Sequence, residues 1–102
     1  VRPMELMLMS VGACSAVDVI HILKKARQPV ADCFVEVSGE RAETDPKVFT
    51  DIHLHFVVIG QGLSEKQVQR AVQLSAEKYC SASLMLGKAA NITHDHEIRL
   101  SE

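Results

Sequence analysis

Between Pro3 and Pro29 the sequence has no other proline and is rich in Met, Leu, Ala and Lys, and no other feature constrains the fold as much. Pro3 suits the first turn of a helix, where its missing N–H costs nothing. From Met4 to about Arg27 such a helix spans roughly 35 Å, which is long for a chain of 102 residues. Its first half is apolar on every side, and this predicts a central helix buried all round. Lys24, Lys25 and Arg27 oppose the negative end of the helix dipole, and Pro29 stops the helix. The apolar stretch from Leu6 to Val17 is too short for a membrane span and is interrupted by Ser10, Gly12 and Ser15, so it reads as a core segment.

A chain of this length makes one domain, residues 1–102, close to the lower limit for a self-sufficient core. Aromatic residues are only 4% and Trp is absent, so aliphatic side chains must do the packing. Association is a common way for so small a core to be completed, and a homo-oligomer is expected. The net charge of −2, with Lys and Arg scattered, argues against nucleic acid or an anionic membrane as the main partner. No basic segment leads to a small-residue cleavage site, so a signal peptide is not expected. Three irregularly spaced cysteines without a CxxC do not make a secreted disulfide framework, and a cytoplasmic location follows.

Beyond Pro29 the pattern changes period. Val30–Glu43 and Val48–Ile59 read as strands joined at the turn Thr44-Asp45-Pro46-Lys47, forming an antiparallel hairpin. In the second, Ile52, Leu54, Phe56 and Val58 make an apolar face opposite Asp51, His53 and His55. Gly60-Gln61-Gly62 breaks the strand, and Ser64 with Gln67 forms a capping box for a helix to about Lys78. Val68, Ala71, Val72, Ser75 and Tyr79 would share one face of that helix. Ser81 can cap a second, shorter helix ended by Gly87 or Asn91, and Asn91–Leu100 alternates as a last strand. The fold class is α+β, in the order α-β-β-α-α-β.

Chemistry is concentrated at the cysteines. Cys33 falls on the apolar face of a strand and is a core residue. Cys14 follows Gly12 and Ala13 and precedes Ser15 and Ala16, small neighbours that leave room for another molecule at the thiol. Asp18 and His21, at i+4 and i+7, share its helical face; the histidine could orient or deprotonate a thiol, or be a satisfied core residue. Cys80 stands where one helix ends and another begins, a position that favours a thiolate. Two i,i+2 histidine pairs, His53/His55 and His94/His96, place both rings of each pair on one strand face. With Cys14 or Cys80 a pair could bind zinc, although no Cys/His spacing matches a known zinc module and a solvated strand face explains them equally.

The order of these residues resembles a known family. Pro3-Met4-Glu5-Leu6, then small or apolar residues up to Gly12-Ala13-Cys14-Ser15, is similar to the central helix of the OsmC/Ohr proteins. These are the osmotically inducible protein C and organic hydroperoxide resistance proteins, in which an N-P-E-x-L opening leads to A-x-C at the same interval. Ala76-Glu77-Lys78-Tyr79-Cys80-Ser81-Ala82-Ser83 resembles the family's second cysteine segment, usually C-P-x-S, and Asn91-Ile92-Thr93 entering a strand also agrees. The resemblance runs from Pro3 to about Leu100. It implies an OsmC-like fold, with a long buried central helix packed on an antiparallel sheet, in an intertwined homodimer. It also implies a thiol peroxidase without a cofactor, acting on organic hydroperoxides in oxidative-stress defence. Cys14 would be the peroxidatic cysteine and Cys80 the resolving one, with the disulfide reduced by an external dithiol, a lipoyl protein or small thiol. Met4, Met7, Leu8 and Met9 would be core residues or the apolar wall of the substrate site.

The chain departs from the family pattern in three places. Met4 stands where the acidic residue is usual, and Glu5, the acidic member of the expected site, comes one place later. One residue turns a helical side chain by about 100°. Ser81 replaces the usual proline. The family's N-terminal strands, which normally carry an arginine that stabilises the reactive thiolate, are not in this sequence, and Arg2 is not assigned that role. Burial without the arginine should raise the pKa of Cys14, whereas helix geometry favours Cys80 as the more acidic thiol. An OsmC-like dimer that binds rather than turns over is therefore the alternative to a peroxidase.

Overall fold

The run after Pro3 forms α1 (Pro3–Lys25) in the computed structural model, which describes residues 3–100. The helix ends earlier than the proline requires. Arg27 adopts a left-handed φ of 59°, its N–H bonds the Lys24 carbonyl, and the Gln28 N–H bonds that of Leu23, both within 3.0 Å. This is the two-bond closure of a Schellman motif, made with arginine where glycine is usual. The hairpin follows as β1 (Val30–Arg41) and β2 (Phe49–Gly60), paired antiparallel. Gly62, with φ of 75°, turns the chain toward α2 (Glu65–Leu74). A π-helical segment, Ser75–Tyr79, leads to α3 (Ser81–Leu86) and then β3 (Asn91–Arg99).

The sheet order is β1-β2-β3, and β3 runs parallel to β2, so the sheet is mixed and not wholly antiparallel. The reason is the connection. A crossover of helices returns the chain to the end of the sheet where β2 began, which a tight turn could not do. Two helix details also differ from the sequence reading. Ser64 caps α2 by accepting from the Gln67 N–H, but the Ser64 N–H donates to Gln28 Oε1 at 3.0 Å, so a distant glutamine completes the cap. Val68, Ala71, Val72 and Ser75 are buried as expected, whereas Tyr79 is 54% exposed. The wider turn of the π segment rotates it off that face.

Val11, Gly12, Ser15, Val19 and Leu23 form the buried stripe of α1. A Cβ on Gly12 would lie 2.8 Å from Val37 Cγ2, so glycine sets how closely α1 approaches β1. Core side chains from β2 (Ile52, Leu54, Phe56, Val58) and α2 (Val68, Val72) meet this stripe. The helix is not buried all round. Leu6, Met9 and Val17 are 52%, 58% and 65% exposed, because the described sheet and helices cover only one side of it. By length and composition the whole of α1 is also long and apolar enough to cross a membrane, which the shorter Leu6–Val17 stretch is not; apolar core helices have the same composition.

Candidate active site

Two helices bring three side chains to one point. Cys14 and Asp18 lie one turn apart on α1, and Cys80 is the residue that opens α3. The two sulfurs and an Asp18 carboxylate oxygen all lie within 4.8 Å of one another. All three cysteines are free thiols; Cys80 and Cys33 are buried, while Cys14 is only partly covered. The cap of α3 is Cys80 itself and not Ser81, for the Cys80 sulfur accepts the Ser83 N–H at 3.4 Å. Ser15 Oγ, fully buried, donates to the same sulfur at 3.3 Å. Ser75 Oγ in turn donates to the Ser15 carbonyl at 3.1 Å, tying the π segment to α1 beside the thiols.

The surroundings push the two thiols in opposite directions. Burial acts to raise the pKa of Cys80, but hydrogen bonds from Cys14, Ser15 and Ser83 outweigh it and bring the thiol below its ordinary 9.0. Cys14 is raised, by burial first and then by its bond to Cys80, with the Ala82 backbone N–H opposing. The dominant influences on both are therefore burial, hydroxyl, amide and thiol, and not a cation. Cys33 stands apart, its pKa pushed up to about 12 by burial and the neighbouring Asp32, as a core thiol should be.

Asp18 borders a cavity of about 700 Å³ that is also lined by His21, Lys25, Arg70 and Tyr79. Burial raises its carboxyl pKa, with His21 opposing, and its Oδ2 atom is buried without a hydrogen-bond partner. A second, more apolar groove of about 370 Å³ lies between α1 and β1, lined by residues including Leu8, Met9, Phe34 and Val37. Cys14 is not among its walls, and Met4 packs against the core.

Glu5 is not brought to this point. It is exposed in the first turn of α1, nine residues before Cys14 and hence about 13 Å away along the axis. Arg2 lies outside the described residues. Nor do the histidines join the thiols. His53 and His55 face outward with Asp95 and Glu97, while His94 and His96 sit near Glu77 and Glu65. Among the described residues the one group able to hold a metal contains no histidine, so the His/Cys zinc arrangement is not formed. What sequence reading missed were the donors to Cys80: Ser15 and Ser83 look like small neighbours, and only three-dimensional convergence aims them at one sulfur.

Comparison with known proteins agrees with this arrangement of elements. The OsmC-like protein family matches residues 1–95. Protein YhfA of Escherichia coli K12 is 57% identical over 96 residues, which make up 94% of this chain and 72% of YhfA. The crystal structure of a hypothetical protein from Aquifex aeolicus VF5 has a TM-score of 0.93 and 43% identity, covering 100% of this chain and 76% of the other. The organic hydroperoxide resistance protein OsmC from Legionella pneumophila shares the fold, with a TM-score of 0.76 at 18% identity over 94% of this chain and 69% of its own.

Proposed function

This chain belongs to the OsmC-like family, and we propose that it is a thiol peroxidase that reduces organic hydroperoxides in oxidative-stress defence. The observation that carries this reading is the convergence of a partly exposed thiol and a buried, hydrogen-bonded thiol within 4.8 Å, from positions 66 residues apart (80 − 14). Two thiols so close lose their first proton as a unit. The donors to Cys80 favour that loss, and the remaining proton lies between the sulfurs. When it rests on Cys80, the charge is on Cys14, the sulfur that an incoming molecule can reach.

Cys14 thiolate then attacks the terminal oxygen of the hydroperoxide. An S–O bond forms, the O–O bond breaks, and the alkoxide leaves and takes up a proton as an alcohol. Cys14 is now a sulfenic acid. Cys80 attacks its sulfur, the S–S bond forms, and hydroxide leaves and is protonated to water. An external dithiol, a lipoyl protein or small thiol, returns both cysteines to thiols by exchange. Glu5 has no step in this sequence from where it stands. The exposed Leu6, Met9 and Val17 on α1 suit a homodimer in which a second copy covers them, and the reading places the protein in the cytoplasm.

Thiols counted before and after one equivalent of cumene hydroperoxide test the proposal in the full chain and in Cys14→Ser and Cys80→Ser. The full chain should lose two thiols together. Cys14→Ser should consume no peroxide, and Cys80→Ser should stop at a sulfenic acid that dimedone traps. Peroxide consumed equally well without Cys14 sinks the assignment, and none consumed by the full chain leaves an OsmC-like dimer that binds without turnover.

A further inference from the structure

The same convergence has a second chemical capacity. Two sulfurs and a carboxylate oxygen within 4.8 Å of one another make a set of three ligand atoms. Zinc bonds sulfur at about 2.3 Å and oxygen at about 2.0–2.2 Å, so neighbouring ligands around it lie roughly 3.4–3.8 Å apart. Side-chain rotation of about an ångström would close the present triangle to that size. Cys14 and Asp18 are held in register by one helical turn, and Cys80 is fixed by the donors Ser15 and Ser83. Outer donors of this kind orient a ligand and tune its basicity.

A second observation points to a cation independently. Asp18 Oδ2 is buried and has no hydrogen-bond partner, an arrangement that costs free energy unless something satisfies the oxygen. Neither His21 nor Ser15 provides for it. We propose that the reduced protein binds one thiophilic divalent cation, zinc, through Cys14 Sγ, Cys80 Sγ and the Asp18 carboxylate. Thiolate ligands select zinc over magnesium or calcium. Zinc sites with three protein ligands keep a fourth position for water, and Asp18, alone of the three ligands, also borders the solvent-open cavity beside His21.

The site and the disulfide exclude each other. Two zinc-bound thiolates, one organic hydroperoxide and two protons give one disulfide, one alcohol and one water, and zinc is released because its sulfur ligands are gone. Reduction by a dithiol restores both ligands. The zinc site rests on the proposed dithiol centre, but zinc binding can be measured without any turnover.

The experiment titrates metal-free, reduced full chain with Zn²⁺ against a chromophoric chelator, and repeats it after oxidation with cumene hydroperoxide. One zinc per chain is expected before oxidation and none afterwards, with Cys33→Ala behaving as the unsubstituted protein. Asp18→Asn, Cys14→Ser and Cys80→Ser, checked for folding by circular dichroism, should each weaken binding by more than about tenfold, the lower bound for losing even an outer partner. Co²⁺ in place of Zn²⁺ should give a thiolate-to-metal charge-transfer band that Cys14→Ser and Cys80→Ser each reduce. Undiminished binding in the cysteine variants would assign the metal to the histidines of the sheet and overturn the site. Undiminished binding in Asp18→Asn, or no stoichiometric binding by the reduced chain, would overturn it too. Zinc binding without peroxide consumption would sink only the peroxidase, and consumption without zinc binding only the metal site.

Discussion

Two clusters of titratable side chains lie on opposite sides of β2, and they are built on opposite plans. On the outer face of the sheet His53 bonds Thr93 and Asp95, His55 bonds Asp95 and Glu97, and Arg99 bonds Glu97. Each of these rings and carboxylates has a partner, most are open to water, and the pairs support each other along β2 and β3. The thiol cluster on the other side is partly or wholly out of water, and one of its carboxylate oxygens has no partner. A saturated, solvated ladder has little left to do chemically. A buried cluster with opposed pKa shifts and an orphaned acceptor is where a reactive group is expected.

The largest effect is expected in the core layer that separates the two clusters. Leu54 lies between His53 and His55 in sequence, points into the core and is fully buried. Leu54→Ala should cost about 2–5 kcal/mol in urea unfolding, a loss felt on both faces of the sheet. A smaller loss, about 1–3 kcal/mol, is expected for Gly12→Val, because its side chain would press on Val37 from two residues before Cys14. Here the thiol side alone should respond: the alkylation rate of Cys14 changes, while the histidine resonances of the ladder do not. Smaller again is Ser15→Ala, at about 1 kcal/mol for the lost hydrogen bond. Its sharper readout is the ultraviolet thiolate absorbance followed against pH, because the pKa of the buried Cys80 should rise toward 9.0 when the donor is gone. A profile that stays where it was would mean that Ser15 does not hold the thiolate.

The contrast between the clusters was only half legible in the sequence. Order and type of the elements followed from period, caps and turn residues, because these are local. Cys14 and Cys80 could be singled out from their helical settings and from motif order. Asp18 was placed on the face of Cys14 by i+4 spacing, but nothing in the chain announced that its oxygen would lack a partner. The direction of β3, the exposure of Tyr79 and the loss of Ser81 as a cap depend on how a crossover, a π turn and a sulfur acceptor happen to close in space. The apolar first half of α1 implied burial all round, since composition records no direction, whereas the sheet covers one side. His53 and His55 lie opposite the apolar face of β2, as alternation alone implies, but which carboxylates they meet is set by the register of β2 against β3.

The smallest effect expected is that of the ladder on stability, and it is read through pH. His55 has its pKa raised above 6.5 by its bonds to Glu97 and Asp95. The stability it contributes is therefore complete below 6.5 and fades as pH rises through the folded-state value. Asp95 is lowered by His55 and His53, and Glu97 by Arg99 and His55. Their contributions are complete above the ordinary carboxylate values, 3.8 and 4.5, and fade as pH falls through the lowered ones. The ladder thus acts in full only between 4.5 and 6.5. Because these groups are open to solvent, water and salt screen most of the gain, and His55→Asn should destabilise less than Ser15→Ala. Urea midpoints of His55→Asn and the unsubstituted protein should differ most in that window and converge on the alkaline side, with hydroperoxide consumption unchanged. A gap that instead widened at alkaline pH would assign the ladder a role that its geometry does not explain.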